Sequence, residues 1–300
     1  MKQLGYGLFM LRLIAFAMLC QASLPCRAEA GVTEVVYPAP ESPQDVRDND
    51  LVEILHSALE HTVASYGPYR LRPSHLAMNE ARQLVMLSNG GELNITWSST
   101  SDEKERTLLA IRIPLRKGLL GYRIALIAKS QQPVFDLVQS ADDLTKLVVG
   151  QGIGWGDAGL YNRDGFKVVT ANYDQLFRMT AAKRFDFFPR GIGEIFKEYD
   201  TQAPMVANLA IEQHLLIVYP WPYYFFFKKS DTALAGRIEA GLRAMLKDGS
   251  YDAIFEKYNR ADIERANLKN RRIIRINNPF LPKDTPLDDP TLWFDPTKGF

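Results

Sequence analysis

The sequence predicts an α/β protein of two lobes, each a mostly parallel sheet flanked by helices, joined by two crossover strands. Three observations carry this. Residues 32–97 read as strand, helix, strand, helix, strand, an order that places strands parallel and side by side. After the long apolar run from Gly121 to Lys129 the alternation begins afresh and continues to Phe188. The chain then turns at Pro220-Trp221-Pro222 into a further strand, Tyr223 to Lys228, that takes it back to the first unit. The division this suggests is residues 1–30 as an export signal, 31–126 with 224–300 as lobe 1, and 127–223 as lobe 2.

The leader comes first. Lys2 precedes apolar residues, Leu13 to Leu24 is apolar apart from Gln21 and Ser23, and Ala28-Glu29-Ala30 follows as an A-x-A cleavage pattern. A membrane-spanning helix needs about 20 apolar residues, whereas a secretory core needs about 7 to 15. The run suits the second, Arg12 interrupts any longer stretch, and the processed chain is expected to start at Gly31. Lipid attachment is disfavoured, because neither Cys20 nor Cys26 follows a small residue.

Val32 to Tyr37 is rich in β-branched residues and ends at Pro38-Ala39-Pro40. A helix capped by Asp50 follows, with Leu51, Ile54, Leu55, Ala58 and Leu59 on one face, stopped by Gly67-Pro68. Tyr69 to Arg72 is a short strand, Asn79 to Leu87 a helix closed by Asn89-Gly90-Gly91, and Leu93 to Trp97 a strand opening into Ser98-Ser99-Thr100-Ser101. In the second unit Ser140 to Asp143 is a helical turn, Leu147 to Val149 and Lys167 to Thr170 are strands, Tyr173 to Ala182 is a helix, and Phe185 to Phe188 is a strand. Leu234, Ile238, Leu242, Met245 and Leu246 mark one closing helix, and a last one runs to Tyr258. The tail from Ile273, with Pro279, Pro282, Pro286, Pro290 and Pro296, is expected to be extended.

Composition excludes several classes. Both cysteines lie in the leader, so the processed chain has no disulfide and no thiolate ligand for a metal or redox group. Removing Lys2, Arg12, Arg27 and Glu29 turns 36 basic and 35 acidic residues into 33 and 34, a balance that implies neither nucleic acid nor an anionic membrane as partner. His56, His61, His75 and His214 have no metal-binding spacing, and no G-x-S-x-G elbow is present. Gly154 to Gly159 fits G-x-G-x-x-G, but Asn162 to Gly165 reads as a turn instead of a helix and the next strand ends in Ala171-Asn172 without an acid, so a dinucleotide site is set aside.

The element order and three motifs resemble the type 2 periplasmic solute-binding proteins, the amino-acid-binding group called extracellular solute-binding family 3, over roughly residues 34–260. The motifs are Asn94 to Ile113 (NITWSSTSDEKERTLLAIRI), Asp143 to Gly152 (DLTKLVVGQG), and Ser230 to Tyr258, ending in LKDGSYDAIFEKY. The resemblance implies that Arg106 grips a ligand carboxylate, since a guanidinium offers two parallel donors. It also implies that Ser99, Thr100 and Ser101 add hydroxyl or backbone donors. Trp97 and Tyr37 stand at strand ends where a ring could stack on a ligand. Gln151, Gly152 and Trp155 belong to a Gly-rich loop able to approach one closely. One departure stands out: where the family places an aspartate for a ligand ammonium, this chain has Pro189-Arg190-Gly191-Ile192. Two arginines, Arg106 and Arg190, would favour a ligand with more than one negative group.

The resemblance thus implies a periplasmic receptor without cofactor or metal, a monomer that captures a small polar, carboxylate-bearing ligand for an ABC-type permease or a membrane sensor. The competing reading is a small-molecule lyase on the same scaffold, with Glu194 or Asp157 as acid or base.

Overall fold

A computed structural model describes residues 31–40 and 47–297. The export signal expected over residues 1–30 lies outside them. Among the described residues no helix is long and apolar enough to cross a membrane.

The first lobe is built from β1 (Thr33–Ala39), α1 (Asn49–Glu60), α2 (Val63–Tyr66), β2 (Tyr69–Ala77), α3 (Glu80–Ser88), β3 (Thr96–Ser99), α4 (Asp102–Thr107) and β4 (Leu108–Leu115). Helix α1 forms where the sequence pattern places it, and its apolar face at Leu51, Ile54, Leu55, Ala58 and Leu59 is fully buried against the sheet. Strands β1 and β2 pair in parallel. Asn94 joins this pair to β3. Its backbone N–H donates to the Val36 carbonyl, its side-chain amide donates to the Glu34 carbonyl, and its Oδ1 accepts from the Val36 N–H. One side chain thereby satisfies the backbone groups that would otherwise face each other unpaired.

The second lobe comprises β5 (Tyr122–Ala128), α5 (Gln132–Asp136), α6 (Ala141–Leu144), β6 (Val148–Gly152), α7 (Gly156–Arg163), β7 (Lys167–Ala171), α8 (Tyr173–Ala181), β8 (Phe187–Gly191), α9 (Ile192–Gln202), β9 (Leu209–Ile211) and β10 (Leu215–Val218). The chain then forms β11 (Tyr223–Lys228), α10 (Thr232–Asp248), α11 (Ser250–Ala266) and β12 (Arg272–Arg275). The sheet order is β12-β10-β5-β8-β6-β7, with β9 also on β5, while β11 lies between β3 and β4 in lobe 1. In each lobe the strand that enters from a crossing runs against its neighbours: β5 is antiparallel to β8, β9 and β10, and β11 to β3 and β4.

Four expectations need correction. The crossing is not at residue 126: every residue of β5 is buried and its partners are lobe 2 strands, so the chain changes lobe in the turn Arg116–Gly121. It returns at 219–222, where the Tyr219 N–H donates to the Gly121 carbonyl and the two passages touch so closely that a Cβ on Gly121 would sit 2.0 Å from the Tyr219 oxygen. The C-terminal part does not stay on lobe 1. Tyr251 and Ile254 of α11 enter the lobe 1 core, Phe255, Ile263 and Ala266 enter the lobe 2 core, and β12 extends the lobe 2 sheet by pairing in parallel with β10. A helix, α7, does form: it begins at Gly156 inside the Gly-rich segment and runs through Asn162 and Arg163, so only Asp164 and Gly165 turn. Finally, Asp50 does not cap α1: the helix starts at Asn49 with Asp48 at the cap position, and Asp50 lies in the first turn with its carboxylate paired to the Arg116 guanidinium at 2.5 and 2.6 Å.

Candidate functional site

On lobe 1 the strands β1 and β3 bring Tyr37 and Trp97 together, rings stacked with centroids 6.2 Å apart. Trp97 is buried, and its indole N–H donates to Asp48 at 3.0 Å. These residues, with Asp48, Val52, Gln83 and Tyr258, line a cavity of about 450 Å³, within the size range of small-molecule sites. The Ser98–Ser101 loop follows β3. Thr100 is buried, its N–H donating to the Pro222 carbonyl and its hydroxyl to Glu105. Ser101 is the N-cap of α4, accepting from the Lys104 N–H at 3.3 Å.

That cap decides which cation turns inward. With Ser101 as cap, Lys104 and Glu105 fold back over the loop while Asp102, Glu103, Arg106 and Thr107 face solvent. The Lys104 ammonium donates to Glu80, to the Ser98 hydroxyl at 2.6 Å and to the Ser99 carbonyl at 2.9 Å. Arg106, expected as the carboxylate grip, is exposed on the far side of this short helix. The interval from the Ser/Thr loop to the arginine ignored the helical turn that begins at residue 102.

On lobe 2 the carboxyl ends of β6 and β8 bring together Gln151, Gly152, Trp155 and Arg190. Trp155 stacks on Phe188 at 6.1 Å, and the Arg190 guanidinium lies 4.8 Å over its ring. A Cβ on Gly152 would collide with the Trp155 indole at 2.2 Å, so only glycine fits beneath that ring. Arg190 is not a free cation: it makes two 2.6 Å bonds to Glu198 and lies 3.3 Å from Glu194. Beside it Arg123 bridges Asp157 at 2.9 Å and Glu194 at 3.2 Å, and Tyr219 donates to Asp157. Gln151 is fully buried, and neither its amide N nor its O has a protein partner. Burial opposes ionisation of Glu194, yet Arg190 and Arg123 outweigh it and hold the carboxyl at about 2. A group so strongly held in its charged form has no proton to give near neutral pH, and the Asp157 carboxylate is paired with Arg123 and accepts from Tyr219.

Between the lobes stands Tyr223, the first residue of β11. Burial pushes its hydroxyl pKa well up, and Glu80 and Asp48 from lobe 1 and Glu194 from lobe 2 all act on it in the same direction. Arg116 sits at the hinge, paired with Asp50 and 3.2 Å from Asp48, and its charge also reaches Glu194. Sequence reading missed Lys104, Asp48, Glu80, Arg116, Arg123, Glu198 and Tyr223. The one local signal was at Lys104, where a capping serine three residues earlier turns the side chain inward. The others are united only by contacts across tens of residues. Among the described residues no group of three or more His, Cys, Asp or Glu could hold a metal ion.

This architecture, two α/β lobes joined by paired crossings, with the β1-β2 and β3-β11-β4 sheets in one and a seven-stranded sheet in the other, is the two-lobed fold of type 2 periplasmic binding proteins. Solved structures match it along nearly their whole length. A periplasmic His/Glu/Gln/Arg/opine family-binding protein from Silicibacter pomeroyi, in complex with lysine, matches with a TM-score of 0.52 and 12% identity, over 76% of this chain and 97% of that one. An ancestral arginine-binding protein bound to glutamine matches with a TM-score of 0.51 and 19% identity, over 76% and 97%. A histidine kinase sensor domain with similarity to periplasmic binding proteins matches with a TM-score of 0.51 and 16% identity, over 77% and 97%. No protein-family model matches the chain, and no curated protein does.

Proposed function

We propose that this protein is a periplasmic solute-binding receptor of the family 3 type, which captures a small cationic ligand between its lobes and presents it to a membrane transporter or sensor. One observation carries the ligand class: the carboxylates around Tyr223 face solvent and the cations behind them do not. The side chains of Asp48, Glu80 and Glu194 are 35–47% exposed, whereas those of Lys104, Arg116, Arg123 and Arg190 are only 5–23% exposed. Each of these four cations already has a carboxylate partner. A ligand entering here meets spare acceptor lone pairs, not free donors, which suits an ammonium or guanidinium and disfavours a second carboxylate. This replaces the anionic ligand expected from Arg106 and Arg190. The aromatic walls Tyr37, Trp97 and Tyr223 are compatible with the same charge.

The test is a thermal-shift screen of amines, guanidines, amino acids and dicarboxylates, since any ligand that binds only the folded state raises Tm. Shifts confined to cationic compounds support the proposal. A shift with dicarboxylates and none with amines or guanidines would overturn the ligand class, and no shift with any compound would count against a receptor role.

A further inference from the structure

The C-terminal tail does more than end the chain. After β12 it leaves lobe 2 and runs back over the hinge. Ile276 donates its N–H to the Val218 carbonyl, Asn278 donates to the Pro220 carbonyl at 2.9 Å on the return crossing, and the Phe280 ring lies over Gly159 of α7. Asp284 then reaches Arg112 of β4 in lobe 1. At its far end three consecutive residues divide between the lobes. Leu292 and Trp293 pack into the lobe 1 core, and Phe294 is buried in the lobe 2 core against Tyr122 and Phe255.

Between those two anchors lies the first crossing itself. Arg116, Lys117 and Gly118 are all left-handed, with φ of 54°, 49° and 69°, a conformation that costs energy at the two non-glycine positions. The tail is fitted to that turn. The Trp293 ring covers Gly118 so closely that a Cβ there would lie 2.5 Å away, the Phe294 N–H donates to the Lys117 carbonyl at 2.9 Å, and Tyr122 donates to the Phe294 carbonyl. A second bond, from the Trp293 indole N–H to the Pro286 carbonyl, fixes the ring's orientation.

We propose that residues 278–297 are a clasp on the hinge, holding the strained turn 116–118 and thereby setting the equilibrium between lobe arrangements. Any rotation of one lobe against the other must pull either Trp293 off lobe 1 or Phe294 off lobe 2. The two crossings alone impose no such requirement, since a few residues there could absorb the backbone change, and the tail adds to α11 as a second element anchored in both cores. The clasp acts with or without ligand, so it stands independently of the ligand class proposed above.

The experiment measures interlobe distance by single-molecule fluorescence, with dyes on cysteines introduced at Val85 of lobe 1 and Leu137 of lobe 2. Both positions are exposed, and Cys20 and Cys26 are absent after export or replaced by serine. In a chain truncated after Asn277, and in Trp293→Ala, the distance distribution is expected to shift or broaden, with the ratio of arrangements changed by about tenfold. Should the truncated chain not fold, Trp293→Ala decides alone. If Trp293→Ala lowers Tm but leaves both the distribution and the exchange rate unchanged, the tail is packing only and the clasp is refuted.

Discussion

The two lobes finish their sheets at the same cleft in opposite ways. Lobe 1 presents an open edge, with a cavity beside Tyr37 and Trp97 and with Asp48 and Glu80 partly in solvent. Lobe 2 presents a more closed one, in which Arg190 lies against Trp155 and Tyr173 and Arg123 against Tyr219, both tied to carboxylates of which Asp157 and Glu198 are covered and Glu194 is partly in solvent. A buried charge is tolerated only when paired, and the lobe 2 arginines are paired within their own lobe. The difference teaches that a cationic residue at a cleft is no evidence for an anionic ligand until its partners are known.

The sharpest way to break this contrast is Arg123→Ala. It leaves Asp157 and Glu194 short of a partner in a region where Arg123 itself is only 5% exposed, and should cost about 3–5 kcal/mol of lobe 2 stability. Urea denaturation followed by tryptophan fluorescence measures the loss, and a cost under about 1 kcal/mol would mean the network is not a closed unit. Next comes Asp48→Asn, which keeps an acceptor for the Trp97 indole while removing a charge. Affinity for the cationic ligand should fall about tenfold by titration calorimetry, or about 1.4 kcal/mol.

Acid should distinguish the lobes as well. Glu194 is held at about 2 in the folded protein, below its ordinary value of 4.5, so the stability it lends is complete above about pH 4.5 and is lost as pH falls toward about 2. Tryptophan fluorescence at a fixed urea concentration should show unfolding becoming easier as pH falls across that interval. A signal unchanged down to about pH 2 would argue that Arg190 and Arg123 do not govern this carboxyl. The smallest effect belongs to Arg106→Ala, expected to leave both ligand affinity and stability within about 0.5 kcal/mol of the parent, because the side chain is exposed. A large loss of binding there would restore the carboxylate grip that the resemblance implied.

Much of the fold was legible because its signals are local. The apolar face of α1 recurs at helical spacing, the helix expected from Asn79 forms as α3 with Asn79 as its cap, and Gly249, left-handed at φ 84°, ends α10. Helix α9 was not foreseen, although Glu194 accepts the Gly191 N–H at its start, because Gly191 supplies no side-chain cap to announce it. Strand β12 went unrecognised because Arg272–Arg275 is four residues long with charged ends, and only the free edge of β10 gives it a partner. At the site, the strand expected over Leu93 to Trp97 forms three residues later, at Thr96–Ser99, so Trp97 lies within it and not at its end. Arg106 was misplaced by a spacing that did not account for helical rotation.

By itself, then, the sequence determined most of the alternating α/β elements and the turn at residues 220–222 that leads into β11. These depend on periodicity, caps and turns that act within a few residues. Tertiary structure alone decided that Asp50 serves Arg116 sixty-six residues away instead of its own helix, that Arg123 meets Glu194, and that Trp293 closes on Gly118. Pairings over such separations follow from which surfaces meet when the lobes assemble. A one-dimensional pattern carries charge and apolarity but not the partner that will neutralise or cover them.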